Sequence, residues 1–495
     1  MAKLKSAKQD FSRSNKSTYD IICIGAGSGG LNVAGFMNKA GFNVLLIDKS
    51  DKHIGGDCLN FGCIPSKTLI EASKLVASAK EAQKYGIKIT GKVNLKKVSD
   101  HINKKKEQIR EHENAAHFQK KGIDVVLGLA KFTGKNSITV NGKEYTAKKI
   151  ILATGAQNRK MKVEGIEKVK IQTNETIFNL TKLPKHLLII GAGPIGIELG
   201  QAFNNLGCKV TIIEHGDQFL KREDPDIAAV LHKQIDQEKI KIHFSCDPVE
   251  FPTSKSVIFK NNKTGKSQKM NFDEILISIG RVPTIDGLDI EKAGIERQKD
   301  NKGKLVVDDY LRTTNKDVIV CGDVAGSYQF THAAEMHAAV IIHNLFTPRM
   351  LPFLKKKINY DHIAWVTYTH PEIATFGVNQ SQLRERKISY ELFDYDFEHD
   401  DRAITSDSTY GRSKVYVGTK GKQKGKILGG TMIADAAGEL IQELILAKKA
   451  NLDIKHIFGK VYPYPTASRV NKYTIRPWFA RKLNERTKRI FKWLY

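Results

Sequence analysis

Two segments of this chain repeat one pattern: an apolar strand, a glycine-rich turn, a helical stretch, and a second strand ending on an acid. In the first, Asp20-Ile21-Ile22-Cys23-Ile24 runs into Gly25-Ala26-Gly27-Ser28-Gly29-Gly30, and Val44-Leu45-Leu46-Ile47 ends at Asp48. In the second, Leu187-Leu188-Ile189-Ile190 runs into Gly191-Ala192-Gly193-Pro194-Ile195-Gly196, and Val210-Thr211-Ile212-Ile213 ends at Glu214. The first glycine of each set permits a tight turn, the second lets the backbone approach a pyrophosphate, and the third lets helix and strand pack closely. Phosphates then sit on a helix N-terminus, and the acid accepts a hydrogen bond from a ribose hydroxyl. A lone glycine triplet is a weak signal. Two of them, each with flanking strands and its acid at the right distance, predict two dinucleotide sites on an α/β fold.

Between the two units stands Gly55-Gly56-Asp57-Cys58-Leu59-Asn60-Phe61-Gly62-Cys63-Ile64-Pro65-Ser66-Lys67. Cysteines at this spacing fit no common zinc pattern, and no metal site is expected. A dithiol between two dinucleotide sites predicts redox chemistry. Cys23, Cys208, Cys246 and Cys321 lie in or beside apolar strands and read as small buried hydrophobes. The 495 residues predict three domains, and 41% hydrophobic residues allow a substantial core. The net charge of +27 admits nucleic acid, an anionic surface or an acidic partner. The lysines are scattered, however, and no nucleic-acid motif accompanies them, so no nucleic-acid partner is expected. No apolar h-region opens the chain and no run of about 18 apolar residues interrupts it, so a cytoplasmic protein is the expectation.

Taken in order, these motifs resemble those of the class I pyridine nucleotide-disulfide oxidoreductases, the group of dihydrolipoamide dehydrogenase, glutathione reductase and mercuric reductase. Further matching segments are Ala153-Thr154-Gly155, Gly322-Asp323 and Thr369-His370-Pro371-Glu372-Ile373-Ala374-Thr375. The resemblance spans about residues 20–472. It implies two Rossmann-like domains, one for FAD (19–157 and 285–350) and one for NAD (158–284). A C-terminal α+β dimerisation domain (351–475) then makes a homodimer whose sites the partner completes.

The resemblance also implies that NADH reduces the flavin and the flavin reduces a Cys58–Cys63 disulfide. Cys63 would be the flavin-proximal thiolate, its pKa lowered at a helix start, and Cys58 the exposed interchange thiol. Lys67 would pair with Glu198 beside the flavin, and Asp323 would bond the ribityl chain. The cofactor-binding set is Gly25, Gly27, Gly30, Asp48, Lys49, Gly56, Lys67, Thr154, Gly155, Gly191, Gly193, Ile195, Gly196, Glu214, Gly280, Arg281, Gly322 and Asp323. Glu214 favours NAD(H) over NADP(H), because a carboxylate repels a 2′-phosphate. Lys221 and Arg222 keep NADPH open.

Two departures follow. The family's disulfide reductases carry a His-Pro-Thr-x-x-Glu acid–base segment, where this chain has Tyr464-Pro465-Thr466-Ala467-Ser468-Arg469. Tyr464 is a poor proton shuttle at neutral pH, so the small-molecule acceptor is expected to be a soft metal ion, an electrophile or oxidant, or a quinone. An altered dihydrolipoamide dehydrogenase and a non-catalytic FAD-binding scaffold are the alternatives. Mercuric reductase also lacks the dyad, but it has a C-terminal cysteine pair and this chain has no cysteine after Cys321. The second departure is the tail at 476–495. From Trp478 to Tyr495 it can be set on one helix, with Phe479, Leu483, Ile490, Phe491 and Leu494 on one side. Arg481, Lys482, Glu485, Arg489 and Lys492 fall on the other. That face either rests on an anionic membrane surface or packs on the dimer. The first eighteen residues are expected to form a disordered basic leader.

Overall fold

The structure, a computed structural model, describes residues 11–495 apart from 13, 302, 349 and 482. In the first glycine unit, Thr18–Ile24 lies parallel between Val44–Asp48 and Lys143–Leu152, with Ile22 opposite Leu45 on one side and Ile150 on the other. Asp124–Leu127 adds outside Val44–Asp48, and Val318–Val320 pairs parallel with the end of Lys143–Leu152. Strands covered on both faces read as unbroken apolar runs, and Ile21 to Ile24 are accordingly buried.

The second unit is a parallel sheet in the order Lys241–His243, Lys209–Ile213, His186–Ile190, Glu274–Ile277, Ile171–Gln172. A two-stranded antiparallel ribbon, Ala156–Asn158 with Arg281–Pro283, carries the chain out to this unit and back. The C-terminal sheet is antiparallel, in the order Ala364–Thr367, Glu372–Gly377, Ile427–Ala434, Arg412–Gly418, Tyr390–Asp396. Two short helices, Ala437–Leu440 and Gln442–Lys449, pack on this sheet through Leu444 and through Ile441 at their junction. The architecture is the expected one: two Rossmann-like units followed by an α+β domain.

A buried carboxylate ties the second unit to the third. Glu223 accepts from Trp365 Nε1 and from Thr375 Oγ1, both at 2.6 Å. Burial pushes its pKa up, and these two donors oppose the shift.

Two expectations change. The leader is docked from Phe11 onward. Phe11 C=O accepts from Leu127 N at 2.7 Å, and its ring packs on the first core. Ser14 N donates to Tyr145 Oη, and the Ser14 and Tyr19 hydroxyls share a hydrogen bond. An exposed edge strand and buried tyrosines supply what this segment needs to order. Residues 1–10 lie outside the described residues.

The tail is not one helix. Trp478 and Phe479 end the helix Val470–Ala480 and pack on the third core. Asn484 caps a new helix, Glu485–Leu494, by accepting from Thr487 N. A side-chain cap of that kind starts a helix rather than continuing one. Lys482 lies outside the described residues.

Glu223→Leu takes the acceptor from both Trp365 and Thr375. It is expected to cost about 2–4 kcal/mol, read as a lower urea midpoint, whereas Glu223→Gln, which keeps a carbonyl oxygen, costs less.

Candidate active site

The two glycine loops are built alike, bond for bond. Gly25 N donates to Ile47 O at 2.8 Å, and Gly191 N to Ile213 O at 2.9 Å. Both glycines have positive φ, 104° and 99°. A Cβ on Gly191 would come within 2.6 Å of Ser278 O, and one on Gly25 would run into Ala153 O. Gly30 and Gly196 face the carbonyls of Gly25 and Gly191 so closely that no side chain fits. Gly27 and Gly193 start twelve-residue helices, Ser28–Lys39 and Pro194–Asn205. Each acid is then locked by the loop it serves. Asp48 Oδ2 accepts from Ala26 N at 2.8 Å, and Glu214 Oε2 from Ala192 N at 2.6 Å. Glu214 Oε1 also accepts from Gly216 N at 2.8 Å. An ionised carboxylate oxygen has lone pairs for more than one donor, so each acid can still receive a ribose hydroxyl. The residues present fit one dinucleotide in each unit.

The thiols sit directly beyond the first loop. Gly56, which opens the short helix Gly56–Asn60, packs its backbone on Gly27; a Cβ there would come within 2.6 Å of Gly27 Cα. Cys58 lies in that helix, and Cys63 is the first residue of Cys63–Glu81. Both are free thiols, hydrogen-bonded to each other. Cys63 Sγ also lies 3.6 Å from Thr331 Oγ1, at the start of the helix Thr331–Phe346.

The pair shares one charge unequally. The hydrogen bond from Cys58, then Thr331 and the Lys67 charge, hold Cys63 down at about 6, against burial and Glu198. The same hydrogen bond, burial and the Glu113 charge push Cys58 up. The direction at Cys63 is the expected one, but the neighbouring thiol is its first cause. Accessibility is the reverse of expectation in the single chain, with Cys63 exposed and Cys58 half-buried. Cys63 stands at a helix start and protrudes, whereas Cys58 is folded into the short helix beneath it.

Lys67 Nζ pairs with Glu198 Oε2 at 2.8 Å, as the resemblance implies. Glu198 Oε1 accepts from Tyr368 N at 2.9 Å, and Lys67 Nζ lies 4.2 Å from the Tyr368 ring centroid. Arg281, from the crossing ribbon, bridges Asp57 Oδ2 and Asp323 Oδ2, each at 2.9 Å, and donates to Ala156 O. Burial raises the Asp323 pKa, and Arg281 opposes that. Gly322 N donates to His337 Nδ1 at 3.1 Å, where burial holds that imidazole down at about 4.

Thr154 Oγ1 donates to Thr284 O at 2.6 Å. Gly155 and Gly280, both at positive φ, have open space where a Cβ would stand. Ile195 packs on the second core, and Lys49 is exposed. His215 Nδ1 is held by Asp247 Oδ2 at 2.8 Å beside Glu214, and Arg222 lies over the Tyr328 ring.

Tyr464 stands apart from the thiols of its own chain. It is two-thirds exposed, donates to Asp401 Oδ2 at 3.3 Å and lies under Arg469. Arg469 is bound in turn to Tyr473 Oη. The other four cysteines are buried, as expected. Among the described residues no cluster of histidine, cysteine and acid side chains could hold a metal ion.

Sequence reasoning passed over Asp57, Thr331 and Tyr368. Asp57 adjoins Cys58 and was in view. Thr331 lies 268 residues from Cys63 and carries no local signal.

Known proteins match most of the chain. The model of the pyridine nucleotide-disulphide oxidoreductases matches residues 19–338, and that of their dimerisation domain matches 363–474. A mercuric reductase of Lysinibacillus sphaericus is 29% identical over 91% of this chain and 81% of its own. A dihydrolipoyl dehydrogenase of Buchnera aphidicola is 30% identical over 92% of this chain and 95% of its own. Among solved structures, the Cu(II) complex of the HOCl-induced flavoprotein disulfide reductase RclA from Escherichia coli superposes with TM-score 0.80. It is 25% identical and covers 93% of this chain and 99% of its own.

In the reduced protein, alkylation of Cys63 by iodoacetamide is expected to follow a midpoint near pH 6. Cys58→Ala removes the donor that stabilises the thiolate, so the midpoint moves up, toward the ordinary thiol value of ~8.5. The check is a pH–rate profile with peptide mapping of the label.

Proposed function

The chain belongs to the pyridine nucleotide-disulphide oxidoreductase family, and from that premise we propose that it is an NADH-driven dithiol reductase of soft metal ions. Members of the family are FAD-dependent enzymes that use a pyridine nucleotide, and the dimerisation domain makes the chain a homodimer. Bound flavin supplies two-electron exchange between a nicotinamide and a dithiol. Gly25, Gly27, Gly30, Asp48, Gly56, Thr154, Gly322 and Asp323 would hold it. Gly191, Gly193, Gly196, Glu214 and Gly280 would hold the nicotinamide dinucleotide. Domain limits of 19–157 with 285–350, 158–284 and 351–475 are supported by the crossing ribbon and the separate sheets.

The observation that carries the acceptor reading is the pairing of two unequal thiols with an absent base. Cys63 is held low and Cys58 high. Tyr464 and Arg469, at the positions of the family's acid–base dyad, are engaged with Asp401 and Tyr473. A disulfide acceptor needs the Cys58 proton removed before attack. A metal ion that binds the sulfur displaces that proton itself. NADH gives up two electrons and one proton, enough for one Hg(II) to Hg(0) or two Cu(II) to Cu(I). The mercuric reductase relatives and the Cu(II) complex of RclA support this class of acceptor. The dihydrolipoyl dehydrogenase relative keeps a lipoamide reductase as the second reading.

NADH is the preferred donor on the strength of Glu214 and the neighbouring His215–Asp247 pair. Its kcat/KM is expected to exceed that of NADPH by at least about tenfold, or ~1.4 kcal/mol, in a stopped-flow comparison. Under NADH, Cu(II) and Hg(II) reduction are expected to fall to background in Cys58→Ser and Cys63→Ser. Lipoamide reduction is expected to be slow in the parent. It should rise in Tyr464→His with Arg469→Glu, toward the ~10²–10⁴-fold that a placed acid–base group contributes. Rapid lipoamide turnover by the unmodified protein would select the second reading.

A further inference from the structure

The geometry points to the C-terminal helix Glu485–Leu494 as a dock for an anionic bilayer surface. No residue of this helix is buried. Leu483, Ile490, Phe491 and Leu494 are between about half and two-thirds exposed, and Trp493 is 83% exposed. At 100° per residue Ile490, Phe491 and Leu494 share one side, and Lys488, Arg489 and Lys492 oppose them. Residues 481–495 carry six basic side chains and one acid.

The root of this segment is fixed. Phe479 stacks on Phe458 with centroids 4.1 Å apart, Trp478 meets Phe393 edge-on at 6.0 Å, and Arg481 pairs with Glu391 at 2.5 Å. A short turn then releases the ten-residue helix from the body. Among the described residues, none of its apolar side chains joins a buried core of the chain.

Charge and shape choose the occupant. A second copy of this chain brings a net charge of +27 against a basic helix, so self-docking is opposed by repulsion. A polyanion such as RNA would match the basic side and leave Ile490, Phe491 and Leu494 in water. An anionic bilayer takes both sides, with the apolar residues and Trp493 at the acyl boundary and the lysines and arginines among the headgroups. At 1.5 Å per residue the helix is about 15 Å long, too short to span a membrane and suited to lying in its plane. A dimer presents two such helices, so one particle binds at two points. The inference does not depend on the acceptor.

The test is flotation of the full-length holoenzyme with vesicles of phosphatidylcholine and phosphatidylglycerol in equal parts, against phosphatidylcholine alone. The expected result is at least about tenfold greater recovery on the anionic vesicles at low salt, falling as salt is added. Two variants accompany it: a chain ending at Asn484, and Ile490→Asp with Phe491→Asp. Both are expected to lose flotation and keep the parent's NADH oxidation. Failure of the parent to float overturns the inference, as does undiminished flotation of the shortened chain. A change in assembly mass on truncation, measured by light scattering, assigns the helix to another copy and overturns it as well. RNA binding that survives Ile490→Asp with Phe491→Asp, in the absence of flotation, does the same.

Discussion

The helix Pro194–Asn205 is the hinge on which the three units agree. Its Glu198 receives Lys67 from the thiol-bearing helix and the Tyr368 N–H from the C-terminal domain. One turn on, Gln201 brackets His370, accepting from its N–H and donating to its C=O, both at 2.7 Å. An ion pair as buried as this contributes little net stability, because desolvation offsets the attraction. Removing Lys67 is costly, since Glu198 is only 8% exposed on its side chain and would keep the Tyr368 N–H but no balancing charge. The pair therefore specifies position more than it stabilises. It sets where a positive charge stands relative to Cys63, and Tyr368 lies against the lysine that carries it.

Arg281 does the complementary task from the other side. The crossing ribbon would otherwise be two short strands with little to anchor them. Its guanidinium joins Asp57, next to Cys58, to Asp323, near the end of the last parallel strand. Two carboxylates share one cation, in a place where burial raises Asp323. The return of the chain from the second unit is thereby coupled to the short helix that holds the thiol.

The parts legible in the sequence are the local ones. Gly25, Gly30, Gly191 and Gly196 are dictated by carbonyls a few residues away or across one strand, so their spacing alone announces the turn. Asp48 and Glu214 announce themselves for the same reason, since each closes on the loop of its own βαβ unit. The Lys67–Glu198 pair was legible only through family resemblance, because 131 residues separate the partners. Thr331 was not legible at all. The tail was read as one amphipathic helix because periodicity does not see tertiary packing. Trp478 and Phe479 obey the helical pattern but face a protein core, while Ile490 and Phe491 obey it, join no core among the described residues and stay half exposed. The leader failed for the opposite reason: a polar, basic composition hid one phenylalanine and a serine hydroxyl with buried partners waiting for them.

The thiol asymmetry makes the loss of the acid–base dyad consequential. A thiolate that ionises at about 6 needs no base at neutral pH, so Cys63 is unaffected by what stands at position 464. Cys58 is the group that needs help, because the same hydrogen bond that lowers its neighbour raises it. In a dithiol–disulfide exchange the protonated sulfur must lose its proton before it attacks, and a tyrosine engaged with Asp401 is no acceptor for it. Coordination to a soft cation removes that requirement, since the metal competes for the same lone pair and drives the proton off. The same two sulfurs, in the same geometry, therefore favour different acceptors according to one side chain some four hundred residues away, which touches neither sulfur within its own chain.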